Sequence, residues 1–181
     1  MKINWKNIDI KDLAAIVSEK LNEKGIEAIL VGGACISIYT KNRYLSSDLD
    51  FISHTTLKEI TEALSELDFK RGSSRHFIRK NCPFFIEFVS PPAAIGSEPI
   101  KSKTEIKTKF GKIVLLTPTD SVKDRLAAYY HWNDPQALEQ AIMVAKAQKI
   151  DLKEIRRWSV KERHKEKYDI FASMIKLSQP S

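Results

Sequence analysis

The sequence predicts an α/β fold, of the α+β kind, with a helical C-terminal region, and the order of its apolar patterns supports this prediction. Up to residue 116, short apolar runs typical of buried strands alternate with amphipathic helical patterns. From residue 117 onward only helical patterns recur. A chain of 181 residues is long enough to bury a substantial core. We therefore predict an α/β core at residues 1–116 and a helical region at residues 117–181, packed on that core.

The first part of the chain places two glycines between strand patterns. The apolar positions of residues 10–21 fall on one helical face, and Gly25 is suited to close this helix. A short apolar run later ends at Gly32-Gly33, which is typical of a buried strand entering a tight turn. The predicted elements after the first helix are a strand at 28–31, a short helix at 34–39, a polar, basic loop at 40–47 and a strand at 48–53.

The middle of the chain is predicted to contain mostly strands. Thr56 and Glu59 fit a capping box, which opens a helix that runs to residue 67. The elements predicted after it are strands at 69–71, 76–79 and 84–89, a loop at 91–99, and a hairpin of 105–110 and 112–116 around Gly111.

The C-terminal third is predicted to be helical throughout. Asp134 and Pro135 are typical of a helix start, with aspartate as the N-cap and proline in the first turn. Ser159 and Glu162 fit a second capping box. The predicted helices begin at 117–119, at Asp134, at Asp151 (to residue 158) and at Val160 (to residue 177).

Several classes of protein are excluded by simple features of the sequence. No apolar run approaches the ~20 residues of a membrane-spanning helix, and the N-terminus has no apolar signal-peptide core. Cys35 and Cys82 form no CxxC pair, and the four histidines include no HxxxH pair. We therefore expect a soluble cytoplasmic protein with reduced thiols, no zinc site and no membrane contact.

The net charge favours a partner that is rich in phosphate. The formal charge is +7 and the isoelectric point is about 9.3. Two stretches concentrate the basic residues: Lys101, Lys103, Lys107, Lys109 and Lys112, and then Arg156, Arg157, Lys161, Arg163, Lys165 and Lys167. A solvated surface is the alternative, because acidic residues are interleaved in the second stretch.

Three carboxylates stand where a sheet would normally place apolar side chains. Asp48 and Asp50 are two residues apart on a predicted strand, so they face the same side. Adjacent like charges repel, and a divalent cation such as Mg²⁺ or Mn²⁺ would compensate them. Glu87, within the apolar run FFIEFV, repeats this anomaly. A neighbouring strand would bring it beside the aspartates, where it is the natural candidate for a general base.

The Gly32-Gly33 turn suits the binding of phosphate. Without side chains, its backbone N–H groups can approach a phosphate closely, and the N-terminus of the following helix favours negative charge. A glycine pair alone, or an Asp-x-Asp alone, has structural explanations. Together with Glu87 on a later strand, the set becomes much more specific.

These residues carry a resemblance to a known family. The segment LVGGACISIYTKNRYLSSDLDF resembles the signature of the polymerase-β-like nucleotidyltransferase superfamily, and IEF at 86–88 is similar to its third carboxylate strand. The stretch TPTDSVKDRLAAYYHWNDPQALEQAIMVA resembles the helical region of small bacterial abortive-infection and toxin–antitoxin type nucleotidyltransferases. The resemblance covers residues 27–148.

The resemblance implies a mixed sheet flanked by helices that binds an NTP with Mg²⁺ (or Mn²⁺). It assigns Gly32 and Gly33 to the triphosphate, Asp48, Asp50 and Glu87 to metal and catalysis, and Lys123 to the phosphates. Relatives of this type also imply an antitoxin-like protein partner. For Lys123 an exposed helix lysine is an equal alternative. Asp134 matches a later acidic position of the family, and helix capping explains it equally well. Lys41 and Arg43 could contact phosphate, but a solvated loop explains them better.

The chain departs from the family pattern in two ways. The spacer between Gly33 and Asp48 holds 14 residues, which is slightly long, and Gly33 occupies a place where many active members have serine. These departures bear more on catalysis than on fold.

The sequence leaves three functions open. The first is transfer of an NMP group from an NTP to an acceptor hydroxyl of an RNA 3′ end (including tRNA), a protein or a small molecule. Trp158 among basic helices and the lysine-rich hairpin favour RNA. The second is a nucleotide- or RNA-binding module without turnover. The third is a metal-dependent nuclease, whose chemistry does not require the glycine turn.

Overall fold

The structure, a computed structural model, describes residues 3–90 and 92–177. The first residue of the predicted loop at 91–99 and both chain ends lie outside these ranges. The helices are α1 (Ile10–Glu23), α2 (Gly32–Tyr39), α3 (Leu57–Ser65), α4 (Pro118–Trp132), α5 (Pro135–Ala147), α6 (Leu152–Lys161) and α7 (Lys165–Leu177). The strands are β1 (Ile29–Val31), β2 (Asp48–Ile52), β3 (Lys70–Arg71), β4 (His76–Ile78), β5 (Phe85–Val89), β6 (Ala94–Ile95), β7 (Glu98–Pro99), β8 (Lys103–Thr108) and β9 (Gly111–Leu116).

A mixed sheet of seven strands forms the core, in the order β3-β4-β5-β2-β1-β9-β8. The pairs β2–β5 and β1–β9 are parallel, and the other neighbouring pairs are antiparallel. The α/β fold with a mixed sheet and a helical C-terminal region is therefore confirmed. The proposed division of the chain at residue 116 stays a prediction.

The strand register separates a fully buried apolar face of the sheet from a face that carries the carboxylates beside apolar residues such as Val31 and Ile52, which we call the polar face. Leu30 lies opposite Phe51, and Leu49 lies opposite Ile86. These four side chains are fully buried. Their neighbours in each strand point to the opposite face because side chains alternate along a strand. Both aspartates of β2 and Glu87 of β5 lie on that second face.

Local sequence signals set most helix starts. The side chain of Thr56 accepts a hydrogen bond from the backbone of Glu59, and Glu59 returns one, so the predicted capping box is confirmed. Asp134 caps α5, with Pro135 as its first residue. Asp151 caps α6 in the same way.

Two predicted features of the second half differ in the structure. The capping box at Ser159 and Glu162 is wrong, because Ser159 lies inside α6 and its hydroxyl donates to the carbonyl of Ile155. The last helix instead begins at Lys165. Within the predicted loop at 91–99, strands β6 and β7 form a small hairpin.

The helical region packs on the sheet and on α2. Helix α4 contacts α2, β6 and β9, and it also contacts α5 and α6. Tyr130 of α4 stacks on Trp158 of α6 in the interior. Among the helices of the described residues, none is long and apolar enough to cross a membrane.

Candidate active site

Strand β2 presents two aspartates on the polar face of the sheet. Asp48 and Asp50 are partly buried, whereas Leu49 between them is fully buried on the opposite face. Asp50 lies opposite Val31 of β1 on one side and opposite Glu87 of β5 on the other. Strand β2 has neighbours on both sides, so it holds these carboxylates in the middle of the sheet.

The glycine pair lets the start of α2 approach this strand closely. Gly32 has a φ of +66°, and a β-carbon at Gly32 would overlap the carboxylate of Asp50. A β-carbon at Gly33 would lie 2.7 Å from the hydroxyl oxygen of Ser46. Both glycines are therefore required by the packing of α2 against the aspartates, and the space that a serine at 33 would need belongs to Ser46.

Ser46 connects this packing to the first aspartate. Its hydroxyl lies 2.9 Å from Oδ1 of Asp48, to which it donates. Its own backbone N–H donates to the hydroxyl of Ser37 on α2 at 2.9 Å. Ser46 is almost fully buried, so this chain of bonds fixes the carboxylate of Asp48 relative to α2.

The N-terminus of α2 has no side-chain cap. Its N-cap residue is Val31, which makes no capping hydrogen bond, whereas Asp9, Thr56 and Asp151 cap α1, α3 and α6. The first N–H groups of a helix have no partner inside the helix and attract anions. At α2 these groups lie beside two carboxylates, an arrangement suited to a cation that bridges the carboxylates to an anionic ligand.

The electrostatics of Asp50 indicate a site that lacks positive charge. Burial, and then repulsion from Asp48 and Glu87, raise the pKa of Asp50 to about 7. The guanidinium of Arg125 on α4 opposes this rise, but it already bonds Asp124. A divalent cation at the site would offset this repulsion and keep Asp50 ionised at neutral pH.

The third carboxylate lies beside the aspartates but is bonded elsewhere. Oε2 of Glu87 is 2.9 Å from Nε2 of His76, which lies opposite Glu87 on β4. In the described residues, no three His, Cys, Asp or Glu side chains are grouped so as to hold one metal ion. Glu87 thus lies opposite Asp50, as the sequence predicts, and also bonds His76. A metal site formed by Asp48, Asp50 and Glu87 stays a prediction.

The donors present still fit Mg²⁺ or Mn²⁺. Mg²⁺ is commonly bound by one or two carboxylates, with water and substrate phosphates completing its shell. Asp48 and Asp50 supply such a pair, and the uncapped start of α2 supplies N–H groups for the phosphates. Only Oε2 of Glu87 bonds His76, so its other oxygen is the one that could join the shell.

A pocket of about 260 Å³ opens beside Asp50. Its floor is the polar sheet face, and its other walls come from the β6–β7 hairpin and α4. The residues that line it are Val31, Gly32, Asp50, Ile52, Val89, Ser90, Pro92, Ala94, Ile95, Ile100, Leu116, Asp124 and Arg125. Most of these are apolar, so the pocket suits a flat apolar group that is attached to a charged one.

Helix α4 brings Arg125, and not Lys123, to this pocket. The ammonium of Lys123 is 2.7 Å from a carboxylate oxygen of Glu154 and 3.4 Å from one of Asp120. Lys123 is only 6% exposed and does not line the pocket. The structure thus places Lys123 in an ion-pair network, so the exposed-lysine alternative is wrong, and a role of Lys123 near the phosphates stays a prediction.

The β6–β7 hairpin is fastened to α6. Arg157 forms a two-point ion pair with Glu98, and Lys161 lies 2.9 Å from the same carboxylate. The indole N–H of Trp158 donates to the carbonyl of Ile95. Because Trp158 is fully buried, it does not contact RNA. Arg157 and Lys161, from the second basic stretch, hold the hairpin against α6.

Three residues of the site carry no motif in the sequence: Ser46, His76 and Arg125. Only Ser46 had a usable signal, since it stands two residues before Asp48 in a polar loop. Lys41 and Arg43 are exposed in that loop, and Asp134 acts as the cap of α5.

Comparison with known proteins supports the fold. The chain matches no protein-family model and no curated protein sequence. The crystal structure of an antigenic nucleotidyltransferase-like protein from Paracoccidioides brasiliensis is similar, with a TM-score of 0.59, 14% identity, and coverage of 76% of this chain and 75% of that one. The crystal structure of ANT(2")-Ia in complex with adenylyl-2"-tobramycin is also similar, with a TM-score of 0.55, 10% identity, and coverage of 85% and 96%. The chain thus has a nucleotidyltransferase-like fold.

Proposed function

We propose that this protein is a nucleotidyltransferase that moves an NMP group from an NTP to an acceptor hydroxyl, with Mg²⁺ or Mn²⁺ as its cofactor. The observation that carries the proposal is the position of Asp48 and Asp50 beside the uncapped N-terminus of α2. The nucleotidyltransferase-like fold supports it, and the similar structure of ANT(2")-Ia contains adenylyl-2"-tobramycin.

Each group of the site has a part in this reaction. The N–H groups at Gly32 and Gly33 would hold the triphosphate, and Arg125 lies on the opposite wall as a further positive charge. Asp48 and Asp50 would hold the metal, which supplies charge neutralisation on the phosphates. Glu87 would accept the proton of the acceptor hydroxyl, with His76 orienting its carboxylate.

The bonds of the reaction balance without another reagent. The acceptor oxygen forms a bond to the α-phosphorus, and the bond from that phosphorus to the bridging oxygen breaks. Pyrophosphate leaves, and the hydroxyl proton passes to Glu87. No oxidant or reductant is needed.

The test is a transfer assay with labelled nucleotides. Purified protein is incubated with Mg²⁺ and each α-labelled NTP, and total tRNA, the protein itself and small hydroxyl compounds are offered as acceptors. The variant Asp48→Asn/Asp50→Asn should lose labelling, whereas Glu139→Gln/Glu166→Gln, which removes two exposed charges remote from the site, should keep it. Equal labelling by both variants would overturn the proposal.

A binding module without turnover is the second candidate. The bond between Glu87 and His76, which engages one oxygen of the third carboxylate outside the aspartate pair, favours it. Mg²⁺-dependent NTP binding without transfer to any acceptor would select this candidate. The cytoplasmic location and an antitoxin-like protein partner stay predictions, and co-purification from the native cell is the test of the partner.

A further inference from the structure

A row of side chains crosses the polar sheet face from the aspartates to the edge of the sheet. Asp48 lies opposite Phe85, and Lys70 lies opposite Ile78. The register of β4 with β5 pairs His76 with Glu87 and Phe77 with Ile86, so the next pair along it is Ile78 with Phe85. The row is therefore Asp48, Phe85, Ile78 and Lys70. At a strand spacing of about 4.8 Å, it spans about 14 Å between its end Cα atoms.

The middle of this row is apolar and open to solvent. Ile78 is 57% exposed, and Phe85 is half-buried. The rings of Phe85 and His76 meet edge to face, with centroids 5.5 Å apart. A ligand with flat apolar faces would bury this strip, and bases stack on such aromatic groups whatever their sequence.

The far end of the row is cationic. A depression of about 550 Å³ opens there, and its lining residues are Asp68, Lys70, Ile78, Arg79, Lys80 and Asn81. Arg79 is held by Asp68 and lies over the ring of Trp5. Lys70 and Lys80 are exposed, and no ion pair involves either ammonium in the part of the chain that the structure describes. These two lysines are free for an anionic ligand.

We propose that the acceptor is the 3′ end of a single-stranded RNA that lies along this row. This rests on the proposed function. The 3′-hydroxyl would lie at the aspartates, the terminal bases over Phe85 and Ile78, and the phosphates at Lys70 and Lys80. The apolar middle of the row matches bases and its cationic end matches phosphates, whereas a protein acceptor would leave the lysines without anionic partners. A duplex hides its base faces and cannot use Phe85.

RNA binding can be measured apart from transfer. Fluorescence anisotropy of a labelled single-stranded RNA is recorded with the transfer-deficient Asp48→Asn/Asp50→Asn protein, without NTP. In that background, Lys70→Glu/Lys80→Glu should weaken binding by at least about tenfold, because two phosphate contacts become repulsive. Lys149→Glu/Lys153→Glu is the matched control: it makes the same change of charge at two exposed lysines outside both basic stretches, and it should weaken binding by less than about threefold.

Phe85→Leu is a second variant that keeps an apolar side chain but removes the ring. It should weaken binding of the single strand by about tenfold and leave binding of the same sequence as a duplex unchanged. Equal losses in the two double variants, or equal affinity for single strand and duplex, would overturn the RNA acceptor. Label transfer to a protein or small molecule without RNA binding would overturn it while leaving the nucleotidyltransferase proposal intact.

Discussion

Gly32 and Asp50 are packed so closely that no side chain fits on Gly32. The φ of Gly32 lies in the left-handed region, and an added β-carbon would overlap the carboxylate of Asp50. The first residue of the glycine pair thus has a structural reason that does not depend on a ligand. It brings the N-terminus of α2 into contact with the strand that carries the aspartates.

Gly32→Ala should therefore abolish Mg²⁺-dependent nucleotide binding, because the new methyl group displaces Asp50 or the start of α2. Gly25→Ala is the matched control, since Gly25 has a φ of +69° and no atom within 4 Å of an added β-carbon. Each variant should lose about 1 kcal/mol of folding stability to backbone strain. Gly32→Ala should lose more, because its methyl group also overlaps Asp50. Calorimetric titration and urea unfolding would measure these effects, and nucleotide binding by Gly32→Ala at wild-type affinity would contradict this reading.

Asp50 should make the stability of the metal-free protein depend on pH. Its pKa rises from 3.8 to about 7 on folding, chiefly through burial, so the folded state binds more protons between these values. The contribution of Asp50 to the free energy of unfolding therefore falls as pH rises from about 4 through about 7. In EDTA at pH 8, Asp50→Asn should be more stable than the wild type by on the order of 2 kcal/mol.

The stability that Asp50→Asn gains should be smaller at pH 5. At that pH the carboxyl of Asp50 is protonated in the folded wild type, so it is uncharged like the amide of the variant. Urea unfolding at the two pH values would measure it, with Glu139→Gln as an exposed control that should change little. If Asp50→Asn were no more stable than the wild type at pH 8, the prediction would be contradicted. The negative charge of Asp50 would then be stabilised by groups other than a metal ion.

Ser46→Ala should weaken metal binding without direct contact to the metal. The hydroxyl of Ser46 orients the carboxylate of Asp48, and loss of such a supporting bond typically costs about 10- to 100-fold in metal affinity. Ser53→Ala is the control, because the Ser53 hydroxyl bonds the carbonyl of Glu27, away from the aspartates. Mn²⁺ titration of both variants would separate the two cases, and equal affinities would contradict the role of Ser46.

Glu87→Gln should separate binding from turnover. Removing a general base lowers kcat by about 100-fold or more, whereas NTP affinity should stay near the wild-type value because Glu87 is turned towards His76. His76→Gln keeps a hydrogen-bonding group and should lower kcat by about tenfold. If Glu87→Gln instead lost Mg²⁺ affinity with kcat preserved, Glu87 would be a metal ligand, as the family resemblance implied.

Local patterns predicted much of this fold. The two-residue period of strands put Asp48 and Asp50 on one face, and the Thr56–Glu59 capping box marked the start of α3. A similar local pattern failed at Ser159, because this residue lies on a buried face of α6 beside Tyr130. Packing thus overrode the capping signal.

Long-range features of the site were outside the reach of a single sequence. Residues 123 and 125 of α4 point about 200° apart, and which of them faces the sheet depends on how the helix packs. The bond between His76 and Glu87 depends on the register of β4 against β5, which no local motif sets. Ser46 gained its role only because α2 approaches the strand so closely.

The central claim is that Asp48 and Asp50 bind a metal–NTP complex at the start of α2. Isothermal titration with Mg²⁺ and non-hydrolysable analogues of each NTP tests it most directly. The account predicts that the wild type and Glu139→Gln/Glu166→Gln bind at least one analogue only with Mg²⁺, and that Asp48→Asn/Asp50→Asn binds it at least about 100-fold more weakly. Equal affinity with and without Mg²⁺, or in the aspartate double variant, would contradict the claim.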